Sequence, residues 1–291
     1  MAHPNQLNPP SVAEDPAPPR IAALVALKRP EVAKSRLTTV PAPLRSRLAW
    51  TMALDTLRSL SPVLPVIVIS NQPNLTERMY REGISATVIT EPWTPGINAA
   101  LRRGEEAATM AGFSGTLACV GDLPALRPES VRRVLAASAM LPRAFVADAS
   151  GVGTTMLIAR GRKLDPRFQG RSATAHRASG AVALGANEVG GNLADARRDV
   201  DDEADLSEAF QLGLGPATRQ LFDADGRLGS YAMIIIENRL ADGCHYALIT
   251  ASGSRLTMPA GTNEAELGQL RPGQQLHAVI SSGRVLSAWL P

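Results

Sequence analysis

Hydrophobic and polar positions alternate in blocks along the first two thirds of the chain. The apolar run Ile21 to Leu27 precedes a basic loop, and Leu44 to Leu60 then carries apolar residues at helical spacing. The pattern repeats, with apolar runs at 66–69, 86–89, 116–120, 144–147 and 155–159 and helical stretches at 74–82, 97–110 and 128–140. This alternation predicts an α/β fold: a mixed, mostly parallel sheet with helices on both faces.

The pattern changes after about residue 220. Strand-like runs at 231–237, 244–250, 275–281 and 285–289 are joined by glycine-containing turns, without a long helical stretch between them. We therefore expect an α/β domain at 20–222 and a small antiparallel, all-β domain of unknown role at 228–291. Residues 1–19 are rich in proline and polar residues, and they are predicted to be a disordered lead-in.

Composition narrows the class of protein. Apolar residues make up 45% of the chain, which is ample for a packed core, and the net charge of +3 is too small to imply nucleic acid. Cys119 and Cys244 lie far apart, which favours a reducing cytoplasm over a disulfide framework. No apolar run approaches the roughly 18 residues of a membrane span, and no signal-peptide pattern precedes the first strand. We expect a cytoplasmic enzyme that binds neither membrane nor nucleic acid.

A basic loop follows the first predicted strand. Four cations lie within nine residues of that strand's end, among them Lys28, Lys34 and Arg36. Ligands of open parallel sheets bind beyond the carboxyl ends of strands, and Lys and Arg can neutralise a triphosphate. A solvated surface loop is the alternative interpretation.

Carboxylates follow two further apolar segments. Asp122 stands in a tight Gly-Asp-Leu-Pro turn, where it could hold magnesium together with phosphate oxygens. Asp199 and Asp201 flank Val200, and at strand spacing they share one face, although only one of the two need reach a metal. A plain turn residue is the alternative for Asp122. Asp202 is a plausible helix N-cap.

Glycines and hydroxyls form a fourth stretch. Gly151 and Gly153 precede Thr154, and Ser172 follows an Arg-Phe-Gln-Gly-Arg segment. Glycine lets the backbone approach a ligand closely, and hydroxyls can bond phosphate or carboxylate oxygens. A phosphate oxygen is already a nucleophile and needs no base, so His176 is predicted to be structural.

Taken in order, these motifs resemble a known family. The spacing Lys-x5-Lys-x-Arg-Leu, then Gly-Asp-Leu-Pro, Gly-x-Gly-Thr, Arg-Phe with a later Ser and His, and Asp-Val-Asp resembles the guanylyltransferases of coenzyme F(420) biosynthesis. These enzymes use 2-phospho-L-lactate, phosphoenolpyruvate or 3-phospho-D-glycerate. The resemblance covers about Ile21 to Arg219, including the segment Leu214-Gly215-Pro216-Ala217-Thr218, and it does not extend past Leu221.

The resemblance implies a fold and a set of roles. The fold would be a nucleotidyltransferase fold, similar to glycosyltransferase-A. Asp122 and Asp199 would hold Mg²⁺. The phosphorylated acid would be held by the residues Thr154, Ser172, Gln169 and Gly170, with Asn98 near the nucleotide and acid. The family has Phe-Gly where this chain has Phe168-Gln169-Gly170, a departure that falls in the acid pocket.

The implied reaction is transfer of GMP from GTP to a small phosphorylated acid, with release of pyrophosphate. GTP and the acid would be the partners, together with a downstream transferase of the same pathway, and a homodimer is possible. One alternative is nucleotidyl transfer to a larger acceptor, such as a pterin or a sugar phosphate. Another is a non-catalytic or nucleic-acid-binding role centred on the C-terminal domain, whose candidate stacking residues are Tyr231, Tyr246 and Trp289.

Overall fold

The structure is a computed structural model that describes residues 20–29, 34–91 and 96–291. The predicted lead-in at 1–19 lies outside these ranges. Within these ranges, every helix is too short or too polar to span a membrane.

Strands and helices alternate up to about residue 220, as the apolar pattern predicts. The strands of the larger sheet are β1 Ile21–Leu27, β2 Val66–Ser70, β3 Thr87–Thr90, β4 Gly115–Cys119, β5 Arg143–Ala147, β6 Thr154–Arg160 and β7 Val182–Ala183. The helices are α1 Ala42–Leu60, α2 Leu75–Arg81, α3 Ile97–Met110, α4 Pro128–Ala137, α5 Ser172–Ala178, α6 Ala194–Arg197, α7 Glu203–Leu212 and α8 Pro216–Arg219.

These strands form a seven-stranded mixed sheet in the order β3-β2-β1-β4-β6-β5-β7. β1 pairs in parallel with both β2 and β4, whereas β6 runs antiparallel to β4 and β5. The carboxyl ends of β1, β2, β3 and β4 therefore meet at one edge of the sheet, together with the start of β6. That edge is where ligands of open α/β sheets bind.

Helices cover both faces of this sheet. Alternate residues of β1 point to opposite faces: Ala23 and Val25 join a buried cluster with residues of α1, α2 and α4, while Ala22 and Leu24 join a second cluster with residues of α3 and α5. The unbroken apolar run of β1 is explained by burial on both sides.

A second sheet follows the first. Its strands are β8 Ser230–Arg239, β9 His245–Thr250, β10 Arg255–Pro259, β11 Gln275–Ser281 and β12 Arg284–Trp289, and a short helix, α9 Glu264–Leu267, lies between β10 and β11. The strands are antiparallel in the order β10-β9-β8-β11-β12 around an apolar core of their own. The predicted fold class, an α/β domain followed by a small all-β domain, is confirmed. The sequence pattern missed β10, in which Arg255 and Pro259 interrupt the apolar residues.

Candidate active site

A cavity of about 410 Å³ opens at the carboxyl ends of β1 and β4. Five of the residues that the sequence proposed for a site line it, namely Lys28, Lys34, Arg36, Asp122 and Asp199. They come from three separate segments, which the parallel pairing of β1 with β4 brings together.

The ammonium of Lys34, a residue that lines the cavity, is paired with two carboxylates. It donates a hydrogen bond to Oδ2 of Asp122 and lies 3.5 Å from Oδ1 of Asp201. The guanidinium of Arg36 pairs with the other oxygen of Asp201 at 3.1 Å, at a more exposed position. Burial alone would lower the pKa of Lys34, but Asp122, Asp201 and Asp199 raise it above its usual value. Lys34 therefore carries a full positive charge among these carboxylates.

Main-chain hydrogen bonds hold Asp122 beside the later acidic segment. The amide of Val120 donates to the carbonyl of Thr155, which extends the β4–β6 pairing by one residue. The carbonyl of Asp122 accepts a hydrogen bond from the amide of Val200 at 3.1 Å. Asp199 and Asp201, on either side of Val200, are thereby fixed next to Asp122.

Asp199 lies in an environment that disfavours its ionised form. Its pKa is raised from 3.8 to about 7, first by burial and then by the negative charges of Asp122, Asp148 and Asp201. Carboxylates crowded in this way bind a proton or a cation to relieve their repulsion. The local charge is therefore suited to a cation.

The donor atoms fit a magnesium ion that completes its coordination with phosphate oxygens. Oδ1 of Asp122 is buried and has no hydrogen-bond partner among the described residues, and a buried oxygen of this kind needs a donor or a cation. No group of three His, Cys, Asp or Glu side chains in the described parts of the chain forms a ready-made metal site. Magnesium does not need one, since it usually takes one or two protein carboxylates together with substrate phosphates and water.

A second group of predicted residues surrounds the start of β6. Oγ1 of Thr154 lies 2.9 Å from Nδ1 of His176, and Nε2 of His176 accepts a hydrogen bond from the amide of Arg167. Because Nε2 is the acceptor, Nδ1 carries the hydrogen and donates to Thr154. Burial, followed by the charge of Arg143, lowers the pKa of His176 to about 4. His176 is therefore neutral and connects two backbone segments, in agreement with the structural role predicted for it.

Asn98 shapes the loop that precedes Ser172. Its carboxamide donates to the carbonyl of Phe168 at 2.9 Å and accepts from the amide of Phe168 at 2.8 Å. Both ends of the amide are thus engaged with the protein itself, so Asn98 positions the loop in this structure. Its predicted contact with substrate stays a prediction.

The loop itself has an unusual backbone. Gln169 has φ of +94° and Gly170 has φ of +56°, a region that favours glycine. The resembling family has glycine directly after the phenylalanine, the position that Gln169 occupies here. Gln169 therefore adds a side chain at a position where the backbone keeps a conformation typical of glycine.

The two groups of predicted residues meet at the same edge of the sheet. Thr154, Gln169, Gly170, Ser172 and Asn98 do not line the cavity that contains Lys34 and Asp122. The hydrogen bond between Val120 and Thr155 joins the strand ends from which the two groups extend. We call the group around Lys34 and Asp122 the cationic half, and the group of Thr154 and Ser172 the hydroxyl half, whose two residues are buried, with 5% and 2% of their surface exposed.

Sequence reasoning missed several residues of the cavity. Trp50 of α1 and Gln72 after β2 both line it, and Nε2 of Gln72 donates to the carbonyl of Lys28. The family resemblance selects Asp199 rather than Asp201, yet Asp201 is the residue that pairs with Lys34 and Arg36. The position of Gln72 beyond a strand's carboxyl end was a usable signal, whereas nothing in the helical pattern of α1 singles out Trp50.

The chain is similar to the proteins of one known family. The family described as "Guanylyl transferase CofC like" matches residues 21–224. A phosphoenolpyruvate guanylyltransferase of Mycolicibacterium smegmatis is 36% identical over 221 residues, which cover 74% of this chain and 96% of that relative. One from Streptomyces avermitilis is 41% identical over 202 residues, covering 67% of this chain and 90% of the relative.

One similar solved structure is described as a nucleotide-diphospho-sugar transferase of Desulfovibrio desulfuricans G20. The match has a TM-score of 0.51 and 16% sequence identity, and it covers 68% of this chain and 90% of that protein. That likeness supports the fold alone. The family match spans most of the chain and ends before β8 begins at Ser230. This chain is therefore a nucleotidyltransferase that belongs to the CofC-like guanylyltransferase family.

Proposed function

We propose that this enzyme transfers GMP from GTP to phosphoenolpyruvate, or to a closely related small phosphorylated acid, and releases pyrophosphate in coenzyme F(420) biosynthesis. The observation that carries the proposal is the convergence of Lys34, Asp122 and Asp199 on one cavity at the carboxyl edge of the sheet. Phosphoenolpyruvate is favoured among the three acids because the relatives described above carry that name.

The reaction is a displacement at the α-phosphorus of GTP. A phosphate oxygen of the acid attacks in line with the departing pyrophosphate, so one P–O bond forms while the α–β bridge breaks. Such chemistry depends mainly on positioning and on neutralising charge. No general base is required, which is consistent with a neutral His176 that is engaged on both ring nitrogens.

The cationic half of the site would bind the triphosphate. Lys34 and Arg36 are already paired with carboxylates, and together with Lys28 they would offset negative charge on the leaving pyrophosphate. Asp122 and Asp199 would hold magnesium, which supplies further charge neutralisation across the phosphates when it is bound.

The hydroxyl half would bind the acid. Thr154 and Ser172 would donate to its phosphate or carboxylate, with amides of the Gln169–Gly170 loop beside them. Asn98 would keep that loop in place through its two hydrogen bonds to Phe168. The acid's phosphate would thereby face the α-phosphorus.

The alternative centred on nucleic acid has little support. Tyr246 and Trp289 are each 8% exposed and pack inside the protein, and the hydroxyl of Tyr231 is hydrogen-bonded to His277. The buried rings of Tyr246 and Trp289 are poorly placed to stack on bases. Association into a homodimer and hand-over to a downstream transferase remain part of the proposal.

The test is pyrophosphate release with GTP and magnesium, using phosphoenolpyruvate, 2-phospho-L-lactate and 3-phospho-D-glycerate in separate reactions. We expect release that depends on phosphoenolpyruvate, with the guanylylated acid identified by mass. Omission of the acid is the control. Release with none of the three acids would contradict the proposed substrate class and favour a larger acceptor.

A further inference from the structure

The long helix α1 forms a wall of the active-site cavity and is buried on two faces. Trp50, Leu54 and Leu57 pack toward the seven-stranded sheet. Leu44 and Leu48 belong instead to a third buried cluster on the opposite side. A helix that is apolar on two faces needs cover on both.

The third cluster is shared with the C-terminal β domain. Val279 of β11 and Trp289 of β12 belong to it, and so do Leu37 and Val40 of the loop that follows Arg36. Leu37 is fully buried although it lies only three residues after Lys34. The C-terminal β domain, which lies beyond the family match, therefore contributes to the apolar cluster in which Leu37 is buried.

A charged contact fixes the same junction. The guanidinium of Arg47 on α1 is 5% exposed, donates to both carboxylate oxygens of Glu266 at 2.6–2.7 Å, and lies 5.3 Å from the ring of Trp289. A buried Arg with two such partners holds its neighbours in a defined position. Trp50 and Ala53, which lie within the next two turns of the same helix, line the active-site cavity.

Local hydrogen bonds make the loop behave as one unit. The amides of Leu37 and Val40 donate to the carbonyls of Lys34 and Leu37, and Thr39 donates to Glu203 through both its amide and its hydroxyl. A displacement of Leu37 from this apolar cluster would therefore move Lys34, whose ammonium must reach Asp122.

We propose that the C-terminal β domain positions the 34–40 segment, which carries Lys34 and Arg36, with Trp289 and Val279 as positioning residues that hold α1 and this segment in their active geometry. Trp289 touches no substrate in this account. Trp289 positions α1 through its contact with Arg47, and it positions the 34–40 segment through the apolar cluster that contains Leu37.

The experiment compares Trp289→Ala with Leu270→Ala. Leu270 is 7% exposed and belongs to the β domain's own core, so its truncation destabilises that domain without changing the apolar cluster that the domain shares with α1 and Leu37. Both variants are assayed at a temperature where circular dichroism shows them folded. If Trp289→Ala does not fold, Trp289→Phe takes its place.

The first readout is hydrogen–deuterium exchange of the amides at 37–40. We expect faster exchange in the Trp289 variant and wild-type exchange in the Leu270 variant. The second readout is kcat/KM for GTP, which should fall between about 10-fold and about 100-fold in the Trp289 variant only, because small misplacements of catalytic groups cost that much. Equal behaviour of the two variants in both readouts would overturn the inference.

Only the kinetic readout rests on the proposed function. A wild-type protein without guanylyl transfer would contradict that function, and the exchange measurement would still decide whether the β domain holds the loop.

Discussion

The ammonium of Lys34 is hydrogen-bonded to the carboxylate of Asp122, although 88 residues separate the two in the chain. The pair joins the loop after β1 to the turn after β4, so the two strand ends share one charged centre. Asp122 is also the residue whose second carboxylate oxygen is buried without a partner among the described residues. The ammonium therefore lies where a divalent cation would neutralise the same carboxylate.

Lys34→Met should separate two roles of the lysine. Guanylyl transfer should fall by about 100-fold or more, because a cation that stabilises the transition state is lost. In the absence of nucleotide, however, Mn²⁺ should bind several-fold more tightly than to the wild type, since no ammonium competes for Asp122. Calorimetry or electron paramagnetic resonance would measure the affinity. Lys163→Met, at an exposed position, is the matched control, and weaker Mn²⁺ binding in Lys34→Met would refute the competition.

Asn98→Ala should affect the acid more than the nucleotide. Without its two hydrogen bonds the loop of Phe168, Gln169 and Gly170 loses its support, so we expect KM for phosphoenolpyruvate to rise about 10-fold or more while KM for GTP changes little. Asn187→Ala, at an exposed position outside both groups of site residues, is the matched control and should preserve both KM values. A rise in KM for GTP alone would contradict the assignment of this loop to the acid.

His176 should make the folded state sensitive to acid. Its pKa is about 4 in the folded protein and 6.5 as a model value, so the unfolded chain binds the proton more readily between these values. This contribution to stability is fully present above about pH 6.5 and is lost as the pH falls toward 4, with a slope of up to about 1.4 kcal/mol per pH unit. The free energy of unfolding from urea titrations at pH 7 and pH 5 checks the sign.

The His176→Gln variant should lack that part of the slope, whereas His245→Gln, which replaces a side chain that is 42% exposed, should keep it. An identical pH dependence in wild type and His176→Gln would show that His176 does not titrate on unfolding in this range.

The regular part of the fold was accessible from the sequence. The apolar run of β1 and the helical spacing of α3 predict Ile21–Leu27 and Ile97–Met110, the bounds that the structure has. Both elements have a clear apolar pattern. β1 is buried on both faces of the sheet, and α3 buries one apolar stripe against it. Asp202, which the sequence indicates as a helix N-cap, does cap α7, and the structure adds a capping box with Asp205.

Long-range contacts were not accessible in the same way. The segment Leu214 to Thr218 is part of the family resemblance, and the structure gives a physical reason for it. The buried carboxylate of Asp55 accepts hydrogen bonds from the amides of Ala217 and Thr218, and a Cβ at Gly215 would lie 2.4 Å from the Asp55 carboxyl carbon. No local pattern encodes a contact between residues more than 160 positions apart.

The candidate site was predicted as residue types at strand ends rather than as an arrangement. The rule that ligands bind beyond the carboxyl ends of strands brought Lys34 and Asp122 together correctly. The pairing of Asp201 with Lys34 and Arg36 depends on the hydrogen bond between Val200 and Asp122, which the sequence does not specify.

The most direct test of guanylyl transfer at this site is product formation by the wild type and by Asp122→Asn, a nearly isosteric change. With GTP, phosphoenolpyruvate and magnesium, the wild type should form guanylylated acid and pyrophosphate in equal amounts. The variant should be about 100-fold slower or worse, while its circular dichroism spectrum is unchanged. Equal rates in the two proteins, or pyrophosphate without guanylylated acid in the wild type, would contradict the account.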